Sequence, residues 1–177
     1  MTTAIILYPG FSECELSAVI SVLTQANHPK VFIGLDDEPV IGEAGLSCNP
    51  DISLNEAEIS QYQSLILPGV DDFKHLLAED DLFSFIRSGY KQDAVIAAIS
   101  SAPYLMAKSG ILDDRSYTAG ISKQSREFLG VFNEERYVDA PYVFDRGILT
   151  AKGNAFVDFA IKFGQVLELD FNPGWYR

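Results

Sequence analysis

Cysteine is scarce in this sequence: Cys14 and Cys48 are the only two in 177 residues, in different predicted elements and with no metal-ligand spacing. That excludes a disulfide framework and leaves two ordinary reduced thiols, as expected of a cytoplasmic protein. Positive charge is short as well. Thirteen Lys and Arg face 25 Asp and Glu, a net charge of −12, and no basic run occurs. Nucleic acid and anionic membrane surfaces carry the same sign as the protein, so both are excluded as partners. No apolar stretch approaches the roughly 20 residues that cross a bilayer, and the N-terminal residues have neither the basic start nor the cleavage pattern of a leader. Repeats, low-complexity tracts and linkers are missing too. Residues 1–177 therefore read as one domain, whose 47% hydrophobic content is enough for a full core.

What the chain does have is a run of six apolar residues, Ala94-Val95-Ile96-Ala97-Ala98-Ile99, followed by Ser100-Ser101-Ala102-Pro103. The run predicts a strand buried on both faces, as in a parallel sheet, and Ala102-Pro103 opens a helix through Ala107. A strand that passes straight into a helix needs a sharp turn, and Ser100 is at its tip. Such a turn puts one side chain in front of free amides at a helix start, where an oxyanion is stabilised. Strained backbone is predicted at Ser100 for the same reason.

Around this segment the pattern alternates between apolar strands and amphipathic helices. Thr3–Tyr8, Lys30–Leu35 and Ser64–Leu67 read as buried strands, and Val40-Ile41 with Leu46-Ser47-Cys48 as a short hairpin. Ser12 with Glu15 three residues later forms a capping-box pattern ahead of Leu16, Val19, Ile20 and Leu23, which gives Glu15 a purely structural role in closing a helix start. Asp71 to Ile86 reads as one helical stretch, with His75 one turn into it and pointing to solvent. His28, beside Pro29, reads as a surface residue. A hairpin over Tyr142–Asp145 and Ile148–Ala151 precedes a last helix from Phe156 to about Leu169, with Phe159, Ala160 and Phe163 on its inner face. The aromatic tail from Phe171 to Arg177 is expected to dock on the body or on a partner subunit.

Ile96-Ala97-Ala98-Ile99-Ser100-Ser101-Ala102-Pro103 resembles the nucleophile-elbow segment of the ThiJ/PfpI superfamily, whose usual pattern is Ala-Ile-Cys-x-Gly/Ala-Pro. Tyr8-Pro9-Gly10-Phe11-Ser12-Glu13-Cys14-Glu15, Leu67-Pro68-Gly69-Val70, the segment from Gly110 to Gly120, and Ile148 to Ala155 resemble the same family, so that the likeness runs over residues 3 to 168. It implies a three-layer α/β/α sandwich with a mostly parallel sheet, of the flavodoxin-like, class I glutamine-amidotransferase-like type. It also implies a homodimer and a site made by Ser100 and Glu15, with Gly69, Val70, Ser101 and Tyr104 as oxyanion-hole or pocket residues. Asp72 and Tyr117 are further pocket candidates. The chain departs from the family in three places. Serine stands at the cysteine position, Gly120 falls where many members carry a histidine, and Val70 replaces the second glycine of Leu-Pro-Gly-Gly.

An alcohol needs a base to act as a nucleophile, and a carboxylate is a feeble one toward it. Activities that require the cysteine, among them glyoxalase, deglycase, peptidase and amidotransferase chemistry, are therefore not expected. Three readings follow. The favoured one is a non-catalytic member that keeps the pocket for a small metabolite or a regulatory partner. A second is an enzyme of altered mechanism, in which Ser100 and Glu15 position water or a small carbonyl compound for hydrolysis, hydration or isomerisation. The third is a structural homodimer without pocket chemistry. No cofactor and no metal is implied by any of them.

Overall fold

The computed structural model describes residues 2–177. Its frame is a seven-stranded sheet in the order β5-β2-β1-β6-β7-β9-β8, built from β1 (Thr2–Leu7), β2 (Lys30–Gly34), β5 (Ile52–Ser53), β6 (Tyr62–Leu67), β7 (Val95–Ile99), β8 (Tyr142–Asp145) and β9 (Ile148–Ala151). All neighbours are parallel except β8 and β9, which form the expected hairpin. Val40–Ile41 (β3) and Ser47–Cys48 (β4) pair as a separate small hairpin, also as expected. The register sets Ile5 beside Ile66, Ile66 beside Ala97 and Ala97 beside Leu149, so one apolar row crosses the centre of the sheet.

Four consecutive residues of β7, Ile96 to Ile99, are fully buried although their side chains alternate between faces. Both faces of the sheet are therefore covered. Helix α1 (Glu13–Gln25) packs against α5 (Phe156–Val166), and α2 (Asp80–Lys91) packs against α3 (Pro103–Lys108) and the β6–β7 strands. Between α1 and α5 the approach is close. A Cβ at Gly164 would come within 2.8 Å of Val22 and 2.6 Å of the Phe171 ring, which is how the C-terminal tail seats on the body. The Tyr176 hydroxyl and Ser21 Oγ, 3.0 Å apart, complete that dock.

Two expectations from sequence need correction. The stretch from Asp71 to Ile86 is two elements: a single 3-10 turn, Phe73–Leu76, capped by the Asp72 carboxylate accepting from Lys74 N at 3.1 Å, and then α2 from Asp80. A short polar cap closes the first turn locally, while Asp80 and Asp81 suit the positive end of a new helix, so the chain breaks between them. His28 is half-buried rather than on the surface. Its Nε2 lies 3.0 Å from Thr3 Oγ1 and 3.3 Å from Gln63 Nε2, where the starts of β1 and β6 come together. Burial, with Lys30 nearby, pushes its pKa down.

Helix α4 (Lys123–Leu129) is capped by Ser122, which accepts from Ser125 N, and ends on Gly130 at φ 66°. Its anchor is Arg126, only 3% exposed. The guanidinium holds Glu134 through Nε–Oε1 at 2.7 Å and Nη2–Oε2 at 2.9 Å, donates to the Ile121 carbonyl at 2.6 Å, and stacks 3.6 Å from the Tyr137 ring centre. One fork thus ties together the whole segment 121–137. Removing one partner of such a pair leaves an uncompensated buried charge. Glu134→Ala is expected to cost about 3 kcal/mol, at the low end because Glu134 is partly exposed, and to lower Tm by roughly 6–12 °C in thermal unfolding. A loss under about 1 kcal/mol would show that the segment is held otherwise.

Candidate functional site

Only three residues separate the end of β7 at Ile99 from the start of α3 at Pro103. The reversal is made at Ser100, whose φ of 62° lies in the left-handed region. For a residue with a Cβ this costs on the order of 1–3 kcal/mol and persists only where neighbours fix it. Two do. Ser100 N donates to the Ala151 carbonyl at 2.8 Å, and Ser100 O accepts from Gly120 N at 2.7 Å. The strain predicted from the sequence is present, and it is held by the end of β9 and by the loop before α4.

Glu15, in the first turn of α1 and 8% exposed, is aimed at the same point. Its Oε2 accepts from Gly69 N at 2.8 Å, across 54 residues of chain. The capping box read from the sequence does not form. Ser12 makes no cap bond, and its hydroxyl instead donates to Glu43 Oε1 at 2.7 Å. Glu15 turns inward instead, to the Gly69 amide. Burial raises the Glu15 pKa, the Gly69 amide and the Ser100 hydroxyl beside it pull the other way, and the carboxylates of Glu43 and Asp71 push it up further. The side chain thus holds its proton more tightly than an ordinary glutamate does.

The walls are backbone. A Cβ at Gly69 would fall 2.3 Å from Glu15 Oε2 and 2.6 Å from Ser100 Cβ, and one at Gly153 would fall 2.7 Å from Glu15 Oε1 and 2.9 Å from Ser100 Oγ. Gly153 was missed as a site residue in the sequence, although the segment Ile148 to Ala155 that contains it was singled out. Tyr8 was missed as well. Its buried hydroxyl donates to the Pro68 carbonyl and holds the exit of β6 in place, and both burial and the neighbouring Glu15 charge raise its pKa.

The expected oxyanion-hole amides are occupied. Gly69 N is bound to Glu15, and Val70 N donates to Ser101 Oγ at 2.9 Å while the same hydroxyl donates to Val70 O at 2.7 Å. Ser101 thereby clamps Val70 as a strand partner would, on the side opposite the bridge from Val70 to Phe11. The Ser101 amide has no hydrogen-bond partner among the described residues and remains available at the elbow. Tyr104 is buried in α3 and stacks on Phe73 with ring centres 4.8 Å apart. Tyr117 is farther off, packed on Phe132 and Tyr137, its pKa pushed up to about 12 by burial. Asp72 is exposed and paired with Lys74.

Neither histidine is at the site. His75 is exposed in the Phe73–Leu76 turn, and His28 sits at the opposite end of the strands from Ser100. Gly120 abuts the Ser100 backbone, at the place where the family resemblance calls for a histidine. Among the described residues no group of three or more His, Cys, Asp or Glu is arranged to hold a metal ion, and no helix is long and apolar enough to cross a membrane.

This architecture has counterparts of known structure and sequence. A DJ-1 superfamily protein from Agrobacterium tumefaciens, Atu0886, superposes with a TM-score of 0.88 at 26% identity, over 98% of this chain and 93% of its own. The chain also matches about half, 51%, of a two-domain protein from Anabaena variabilis that joins a DJ-1/ThiJ/PfpI-like domain to a ferritin-like one. That match has a TM-score of 0.87 over 97% of this chain, and at 19% identity it speaks to the fold alone. In sequence, the Drosophila melanogaster protein dj-1beta is 29% identical over 167 residues, covering 92% of this chain and 87% of that protein. Residues 1–165 match the model of the DJ-1/PfpI family, and the chain belongs to that family.

Proposed function

We propose that this protein is a small-metabolite-binding member of the DJ-1/PfpI family that does not carry out the family's cysteine chemistry, and that it works as a cytoplasmic homodimer. One observation carries the reading: the strained elbow presents an alcohol, and the group beside it is a buried carboxyl, with no imidazole bonded to either. A serine nucleophile needs a partner that takes its proton. Here Glu15 Oε2 is already bound to the Gly69 amide, and neither histidine is hydrogen-bonded to Ser100 or to Glu15. What remains is a recognition site, in which the Ser100 hydroxyl, the Glu15 carboxyl and the Ser101 amide are three polar groups suited to a carbonyl oxygen and its neighbours. The free thiols Cys14 and Cys48 fit a reducing compartment, and the exposed Ile41 and Leu46 on the β3–β4 hairpin are surface that a second copy could cover.

A second reading keeps chemistry at the same residues, with Ser100 and Glu15 positioning water or a small carbonyl compound for hydration, hydrolysis or isomerisation. The left-handed Ser100 favours it, because strain of this kind is commonly retained where a side chain must be presented for reaction.

Three outcomes are expected. A fluorophosphonate probe leaves the protein unlabelled. Stoichiometric labelling that disappears in Ser100→Ala would establish an activated serine and replace the first reading by the second. In Glu15→Gln the titration is removed. Because the folded state holds the Glu15 proton more tightly than the unfolded chain, that contribution to stability is complete below the unfolded value of about 4.3 and fades as pH rises through the higher folded value. The Tm of Glu15→Gln relative to the parent therefore climbs as pH rises above the ordinary carboxyl value, and a constant offset would show that Glu15 titrates normally. Sedimentation equilibrium returns twice the 19.5 kDa of one chain, and a single-chain mass would remove the dimer from the reading.

A further inference from the structure

Beside the elbow a groove of about 910 Å³ runs outward, with Ser101 and Gly120 at its inner end. One bank is Phe73, Lys74 and Leu77, from the turn after β6, and the other is Ile121 and Phe128, from α4 and the loop before it. Gly120 N is bonded to Ser100 O at 2.7 Å, so the groove begins where the polar site ends. Its rim exposes large apolar side chains on both banks: Phe128 is 90% exposed and Leu77 39%. Two exposed apolar side chains lining one groove make a place where a ligand's apolar part gains by leaving water.

Charge narrows the choice of ligand. Asp71 and Asp72 line the groove, and Glu43 and Asp71 bear on Glu15 at its head. The lining cation, Lys74, has its Nζ 3.3 Å from Asp72 Oδ2, and Lys123 on α4 pairs with Glu127 at 3.7 Å. A carboxylate or phosphate entering here meets like charge with no free cation to offset it. An ammonium ion is attracted but has only donors, and so leaves the Ser101 N–H without an acceptor. An uncharged carbonyl satisfies this donor and brings no charge.

We propose that this groove is the second arm of the Ser100–Glu15 site, and that the arm selects uncharged carbonyl compounds carrying an aromatic or branched apolar substituent, with the oxygen at the elbow and the substituent between Phe128 and Leu77. The inference rests on the pocket reading above, yet it stands on different residues. Phe128 and Leu77 are exposed, so replacing them leaves the core intact.

The test is a titration series on the full chain by calorimetry or by ligand-observed NMR, using benzamide, acetamide, benzoate and benzylamine, with the variants Phe128→Ser, Leu77→Ser and Glu15→Ala. Benzamide is expected to bind at least ten-fold tighter than acetamide, benzoate and benzylamine at neutral pH. The Phe128→Ser/Leu77→Ser double variant is expected to abolish its advantage over acetamide, leaving thermal unfolding unchanged. Absence of benzamide binding, equal binding of benzoate or benzylamine, or full benzamide affinity in the double variant would each overturn the proposal. Glu15→Ala separates the two levels. If it leaves benzamide affinity intact while the double variant lowers it, the groove stands and the Ser100–Glu15 head group is wrong. If Glu15→Ala weakens both amides and the double variant changes nothing, the head group stands and the groove is wrong.

Discussion

The fold depends on one unfavourable backbone conformation being held from two sides. Ser100 turns left-handed because the chain must leave β7 and enter α3 within three residues, and it stays so because its N–H and C=O are both spoken for, by Ala151 and Gly120. Those two bonds fasten the end of β9 and the loop before α4 to the elbow. Gly69, at the exit of β6, and Gly153, after β9, close over the same point. The C-terminal ends of the central strands and the start of α1 thus meet within one small volume, where an open parallel sheet places its ligands.

Within that volume the carboxyl is held to its proton more tightly than usual. Burial and the surrounding carboxylates raise the Glu15 pKa, and the net charge of −12 means that few cations are available to lower it again. Ser101 adds a second change, since its hydroxyl takes up both backbone groups of Val70 and removes that amide from the service of an oxyanion. The two effects act in the same direction: developing negative charge is less welcome at this elbow than a neutral acceptor is.

Much of this was legible in the sequence, for reasons that differ by element. The apolar run Ala94–Ile99 and the helix-opening Ala102-Pro103 gave both the buried strand and the strained turn, because sterics within a few residues decide them. The β8–β9 hairpin was equally plain, with Arg146 and Gly147 at positive φ between two apolar segments. Glu15 was harder. Local pattern offered a capping box, and only the family resemblance pointed it at Ser100; its actual partner, Gly69, is 54 residues away and carries no side chain to signal the contact. The break between the Phe73–Leu76 turn and α2 was missed because no Gly or Pro marks it. His28 was misplaced because its neighbours Thr3 and Gln63 reach it from two other strands. The clamp of Ser101 on Val70 was invisible for the same reason, as hydroxyl-to-backbone bonds follow no periodicity.

Gly120 limits what the pocket can carry beside Ser100. Its amide lies against Ser100, and a Cβ there would stand 3.0 Å from Ser100 Cα and 3.2 Å from its carbonyl carbon, atoms that cannot swing aside as a side-chain tip can. Exchanging Ser100 for cysteine is a single step that changes one atom, but adding an imidazole at position 120 requires two bonded backbone segments to part by a few tenths of an ångström. A side chain at position 120 and the close packing of this loop on the elbow therefore exclude one another, so any base added beside Ser100 fits more readily at some other position.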